Sequence, residues 1–182
     1  MTSVNQYVVT RLDAEGFAAS LAGLAELLVD GVDSGASLGF LASFDHDAAA
    51  RWWRSLAPGV ADGSLVVWTC QGAEGRLDGT ISLVLEPKPN SAYRASVVKL
   101  IVHRRARGRG LGRRLLATAE QTAAALGRTL LMLDTETDSD ADFLYQATGW
   151  TRYGIVPGYA ADPAGVPRDC SFYFKRLTAE LI

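Results

Sequence analysis

Metal and disulfide chemistry have almost no raw material in this chain. Its two cysteines, Cys70 and Cys170, lie far apart and form no Cys-x-x-Cys pair, which excludes a disulfide framework and leaves zinc without a donor set. Both read as thiols of the core or of strands, and no metal is expected. Only two histidines occur; His46 reads as a surface residue and His103 as part of a loop. Long apolar runs are missing too. No stretch approaches the roughly 20 apolar residues that cross a bilayer, and "MTSVNQYVVTRLD" has neither the basic start nor the apolar length of a signal segment. The expectation is a cytoplasmic protein with no membrane partner. An excess of one charge is also lacking: 18 Lys and Arg against 20 Asp and Glu give a formal net charge of −2. That argues against a surface built around nucleic acid.

What is present is a succession of short periodic segments without internal repeats, over 182 residues that are 48% hydrophobic. That suffices for one domain, 1–182, with a sizeable core. Tyr7 to Leu12 is β-rich, and Phe17, Leu21, Leu24 and Leu28 then recur at helical spacing until Gly31. Asp45 and Asp47 open a second helix with Ala49, Trp53 and Leu56 on one face, ended by Pro58-Gly59. "SLVVWTCQ" and "LDGTISLVLE", joined by "GAEG", predict an antiparallel hairpin. A strand from Ala95 to His103 leads into an arginine-glycine turn, after which Leu111, Leu115, Ala119, Ala123 and Leu126 mark a helix ending near Gly127. "TLLMLDTE" predicts a central strand closing on acidic residues. A short helix capped by Asp138 or Ser139 and ended by Gly149 follows, then the strands "WTRYGIVPGY" and "CSFYFKRL". The order β-α-α-β-β-β-α-β-α-β-β predicts an α/β (α+β) fold, one mixed sheet covered by helices.

The turn itself holds Arg104, Arg105, Arg107, Arg109, Arg113 and Arg114 with Gly108, Gly110 and Gly112. Arginines at a helix start oppose the macrodipole, so a merely solvated face explains them poorly. Strand, glycine-rich turn and helix together aim free backbone N–H groups at an anion, and the main chain from Arg107 to Arg113 is expected to wrap a pyrophosphate while arginines neutralise it. The dinucleotide fingerprint fails, because Arg113 or Leu115 stands where its third glycine belongs, although Asp134 lies about twenty residues on, as a ribose-binding acid would. The nucleotide-triphosphate loop lacks its Gly-Lys-Ser/Thr ending. Nucleic acid is disfavoured, since no aromatic residue interleaves with the arginines.

Arg107-x-x-Gly110-x-Gly112 resembles the Gln/Arg-x-x-Gly-x-Gly/Ala signature of the GNAT acetyltransferases, and "DSDADFLYQATGW" is similar to the later segment of that family, with Tyr145, Gly149 and Trp150 matching. The resemblance covers about Val66 to Trp150. It implies a mixed, mostly antiparallel sheet, acetyl-coenzyme A as acyl donor, and a cofactor site formed by Leu100, Ile101, Val102 and the residues Arg107, Gly108, Arg109, Gly110, Leu111, Gly112 and Arg113. Asp138 stands where the family often has an asparagine that meets the pantetheine arm.

The implied chemistry is direct attack of an amine on the thioester. An alkylammonium of pKa about 10.4 is only about one part in 2,500 neutral at pH 7, a penalty near 4.6 kcal/mol that a positioned base relieves. Asp134 is the first candidate, since it ends the apolar strand expected beside the one bearing the turn, and Glu136 the second; the glutamate that some family members carry on the strand before the turn has no counterpart around Ser96 and Val98. Tyr145 would protonate the departing thiolate, and a backbone N–H of Leu100 to Val102 would serve the oxyanion.

The stretches "DSGASLGFL", "LDTETDS", "PGYAADPAG" and "FYFKRL" resemble small bacterial acetyltransferases related to the tabtoxin-resistance enzyme, which implies a small primary amine as acceptor. Asp33, Trp53, Asp134 and Tyr159 would then form an acidic, aromatic-walled pocket suited to a cation. Three readings stay open: a small-molecule acetyltransferase, with amine antibiotic or toxin detoxification as one role; a protein or peptide acetyltransferase, favoured by an open groove; and a non-catalytic acyl-coenzyme A binding domain. Oligomeric state is not legible from the residues.

Overall fold

The computed structural model describes residues 7–72 and 74–178. Ala73 of the hairpin link and both ends of the expected 1–182 domain lie outside them. Strand β1 (Val8–Arg11) leads into α1 (Ala14–Asp33), whose first turn is capped by Asp13 accepting from the Gly16 N–H at 2.7 Å. α2 (His46–Ser55) starts the same way on Asp45, which accepts from the Ala48 N–H. Pro58 does not end this helix. The chain turns at Leu56, and Pro58 sits in the first turn of a short further helix, α3 (Ala57–Asp62), where its missing N–H leaves no bond unmade. Nor does Gly31 stop α1: a Cβ there would come within 2.6 Å of Leu38 Cδ1, so this glycine lets the following loop pack against the helix.

β2 (Leu65–Gln71) and β3 (Leu77–Leu85) form the expected antiparallel hairpin, and β4 (Arg94–Val102) pairs antiparallel with β3. α4 (Leu111–Ala125), β5 (Leu130–Glu136), α5 (Asp140–Ala147), β6 (Thr151–Ala161) and β7 (Pro167–Arg176) complete the chain. The seven strands lie in the order β1-β2-β3-β4-β5-β7-β6, and β4 against β5 is the parallel pair. The fold is therefore a mixed, mostly antiparallel α/β sheet between helical layers. β6 and β7 run further than their apolar patterns because they pair with each other out to Ala161 and Pro167.

Two cores lie on the two faces of the sheet. β2 alternates between them: Val66, Trp68 and Cys70 pack with Leu115, Leu116 and Ala119 of α4, whereas Leu65 and Val67 pack with Phe17, Leu24 and Leu28 of α1 and Ala49 and Trp53 of α2. Leu126, expected in the α4 stripe, is 42% exposed at the helix end.

One irregularity decides where the site forms. Thr80 pairs with Ile101 but Ser82 with Val98, so β4 carries one residue more than β3, and Lys99 takes φ +53 to accommodate it. The extra residue exchanges the faces of the strand. Ala95 and Val97 pack in the α4 core, yet Ile101 packs in the α1–α2 core. Pairing with β5 is confined to Arg94–Ser96 against Leu130–Met132. Beyond that point the two parallel strands part, and among the described residues β4 has no strand partner on that side from Val97 to Val102.

Candidate active site

The fork between β4 and β5 opens a cleft of about 850 Å³, walled by Leu100, Ile101 and Val102 on one side and by Asp134, Thr135 and Glu136 on the other. A strand freed from its neighbour leaves alternate main-chain N–H and C=O groups facing the gap. The turn after β4 closes one end of the cleft, and the α1–α2 loop with β6 and β7 closes the other.

At the turn, Gly110 is the N-cap of α4 with φ +76 and supplies no side-chain cap. The N–H groups of the first turn, at Leu111, Gly112 and Arg113, are left for an anion at the positive end of a 15-residue helix. Leu111 contributes its main chain only, its side chain being 2% exposed in the core. Gly108 also has positive φ, and a Cβ on Gly112 would sit 3.3 Å from Leu144 Cδ2, so α5 can approach the α4 start closely. Arg107, Gly108, Gly110, Leu111, Gly112 and Arg113 all line the cleft. These features suit a diphosphate, which needs unclaimed N–H groups and cationic neighbours.

Most of the arginines do something else. Arg104 binds the buried Asp30 carboxylate through its side chain and, at 3.0 Å, its main-chain N–H. Arg105 reaches Asp78 at 2.7 Å, Glu26 at 2.8 Å and the Leu77 carbonyl at 2.8 Å. Arg109 donates to the Tyr7 hydroxyl and Arg114 to the Tyr7 carbonyl, both at 2.8 Å. Arg109, expected at the cofactor, thus points away from the cleft and fastens the turn to the segment before β1. Arg107 folds back to the Val102 carbonyl at 3.2 Å while remaining on the cleft wall, and Arg113 lines it as well. His103 has the expected loop role: Nδ1 accepts from the Arg105 N–H, and burial pushes the imidazole below its ordinary pKa.

Asp138 is not on the cleft wall either. It takes φ +62 and its N–H donates to Asp142 Oδ2 at 2.9 Å, while the fully buried Asp142 also accepts from the Tyr173 hydroxyl. Ser139 and Asp140 border the cleft in its place.

At the acceptor end, the two-residue period of β5 puts Asp134 and Glu136 on one side of the strand. Asp134 Oδ2 accepts from the Cys170 thiol at 3.5 Å. Burial pushes the Glu136 carboxyl above its ordinary value. Tyr145 of α5 is 5% exposed and lines the cleft, its ring 5.8 Å from Trp150 and 6.0 Å from Tyr173. Burial first and the Asp134 charge second raise the phenol far above its usual range, so it stays protonated and keeps a proton to donate. Tyr159 stands half-exposed on the rim.

Two expected substrate residues are elsewhere. Trp53 is fully buried and its indole N–H donates to the Leu24 carbonyl at 3.0 Å; it is a core residue between α1 and α2. Asp33 is the exposed last residue of α1 and does not line the cleft, unlike Gly31 and Ser34 beside it. In their place come the loop from Ser34 to Gly39, Arg168, Asp169 and Lys99. The sequence signal for Lys99 was a single charge inside the apolar run "ASVVKLIV". The loop is tied across the cleft by Ser37 Oγ donating to the Ala161 carbonyl at 3.3 Å and the Ala42 N–H to the Pro163 carbonyl at 2.7 Å.

Among solved structures of like fold, yncA from Salmonella typhimurium, which holds its cofactor acetyl-CoA, is 20% identical over 98% of each chain with a TM-score of 0.76. A structure described as a phosphinothricin N-acetyltransferase is 18% identical over 94% of this chain and 99% of its own, with a TM-score of 0.76. Ribosomal-protein-alanine N-acetyltransferase from Brucella melitensis is 22% identical over 93% and 99%, with a TM-score of 0.70. At the level of sequence, the description "Acetyltransferase (GNAT) family" matches residues 36–150, from the α1–α2 loop through the turn to the end of α5. With turn, fork and α5 inside one continuous match, the chain belongs to the GNAT family of acetyltransferases.

Proposed function

We propose that this protein transfers the acetyl group of acetyl-CoA to a primary amine of a small molecule, by direct attack of the amine on the thioester. The small-molecule part rests on one observation: the α1–α2 loop is hydrogen-bonded to the β6–β7 segment at Ala161 and Pro163, which walls off one side of the acceptor end. A protein acceptor needs an open groove there.

Bound acetyl-CoA supplies the activated acyl group. The N–H groups of Leu111, Gly112 and Arg113 hold the diphosphate, with Arg107 and Arg113 beside it. A main-chain N–H of the unpaired Leu100 to Val102 edge faces the thioester oxygen and stabilises charge that develops there. Asp134 takes the proton of the attacking amine, and Glu136, two residues along the same side of β5, holds the amine on its way in. Tyr145 donates its hydroxyl proton toward the departing sulfur. Two unpaired cysteines fit a reducing compartment, and we place the protein in the cytoplasm.

A thiol-release assay with acetyl-CoA against amino acids, polyamines, amino sugars, amine antibiotics and short peptides tests this reading. The expected result is amine-dependent release with one of the small acceptors. Asp134→Asn and Tyr145→Phe should each lower kcat about 10²-fold. Release with peptides alone would move the acceptor to the protein class, and full turnover in both variants would remove the catalytic assignment.

A further inference from the structure

The chemistry above leaves Lys99 unused. Its left-handed backbone at the β4 bulge turns the side chain toward the α1–α2 loop, where Nζ donates to the Leu38 carbonyl at 2.9 Å. Nζ also lies 5.7 Å from the Phe40 ring centroid and 5.2 Å from that of Trp52. Leu38 packs closely over Gly31 and against the α1–α2 core. An ammonium has three donors, of which Leu38 uses one. Aromatic faces attract a cation but neutralise it only in part. Among the described residues no carboxylate oxygen lies within 4.0 Å of Nζ. Burial pushes the Lys99 pKa down, and Asp134 on the opposite wall of the fork is the charge that partly restores it.

The other cation at this end, Arg168, is already paired with Asp162 at 2.8 Å. The acceptor end therefore offers Asp134 and Glu136 to an amine and, from the other wall of the fork, a partly buried ammonium with spare donors. An acceptor bearing only positive charge would set like charge against Lys99.

We propose that Lys99 selects acceptors whose amine is joined to an anionic oxyacid group, a carboxylate or a phosphonate, which takes the spare donors of Nζ while the amine meets Asp134. This rests on the acetyltransferase reading of the cleft. It makes the acceptor site a site for zwitterions of the amino-acid kind rather than for polyamines, whose charges are all positive.

The test compares matched probes: L-ornithine with putrescine, L-methionine with its decarboxylated amine, and L-alanine with ethylamine and with aminoethylphosphonate. In the wild-type enzyme the acid-bearing member should have a kcat/KM about tenfold or more above its acid-free partner. In Lys99→Met, which keeps the stem against Phe40 and Trp52, that ratio should fall toward one; in Lys99→Arg it should be partly kept. The alanine set tells carboxylate from phosphonate. An equal ratio in the wild type, or the same ratio in Lys99→Met, overturns the proposal.

A binding readout stands apart from turnover. The chain has three lysines, Lys88, Lys99 and Lys175, so side-chain NMR of lysine-labelled protein gives a resolvable Lys99 signal, assigned by its loss in Lys99→Met. That signal should shift saturably with the acid-bearing probes and not with their partners, with or without acetyl-CoA. If acetyl-CoA fails to bind, the acetyltransferase reading is at fault and the NMR titration still decides the role of Lys99. If no acid-bearing probe moves the signal, the zwitterion site is wrong whatever acetyl-CoA does.

Discussion

The Cys170 thiol borders the cleft, yet burial and then the neighbouring Asp134 charge push it up to about 12. At pH 8 only about one molecule in 10⁴ then carries the thiolate, against roughly a quarter for an ordinary cysteine. Allowing for the greater nucleophilicity of a basic thiolate, alkylation by iodoacetamide should run about 10²-fold slower than for a free thiol. Peptide mass mapping checks this, and rapid labelling at Cys170 would contradict the environment described for Asp134. Trp53 shows the same dependence of role on surroundings. The helical spacing of Ala49, Trp53 and Leu56 pointed to a core side chain while the family resemblance made Trp53 a pocket wall, and its burial under α1 decides for the core. Trp53→Ala should cost about 3–5 kcal/mol of stability, measured by denaturant unfolding. A loss of acceptor affinity in a fully stable Trp53→Ala protein would reverse that decision.

At the level of elements, the glycine-rich turn between β4 and α4 was legible because its glycines and the apolar stripe of α4 sit in local sequence. Which arginines line the cleft was not. That depends on Asp30 and Glu26 of α1, Asp78 of β3 and Tyr7, partners far away along the chain that only the folded sheet brings near. Four of the six arginines hold the glycine-rich turn in place and two, Arg107 and Arg113, line the cleft. Arg113→Ala should therefore weaken acetyl-CoA binding about tenfold, the worth of a charge-assisted hydrogen bond. Arg109→Ala should leave that affinity near the wild-type value and cost about 1 kcal/mol of stability instead. Calorimetry and unfolding of both variants separate the roles, and equal losses of affinity would show that Arg109 reaches the ligand after all. The β4 bulge was equally hidden. A register shift arises from pairing with β3, and no local pattern in "ASVVKLIV" marks Lys99 as the residue that absorbs it.

Across the whole molecule, the order of strands and helices followed from periodicity, and the class of the fold followed from the order. The splitting of β4 from β5 did not, since both strands look uninterrupted in sequence while their pairing stops at Ser96 and Met132. That separation creates the cleft: it frees the edge of β4, brings Asp134 and Tyr145 to one opening, and leads to the uncapped start of α4. The account therefore turns on whether acetyl-CoA occupies this fork with its diphosphate on the turn. Isothermal titration of acetyl-CoA into the folded protein in dilute buffer tests that most directly. The prediction is saturable heat that weakens with added salt and vanishes in Gly110→Asp, where a side chain and a negative charge enter a position of φ +76. Absence of heat with the wild-type protein, or undiminished affinity in Gly110→Asp, would contradict it.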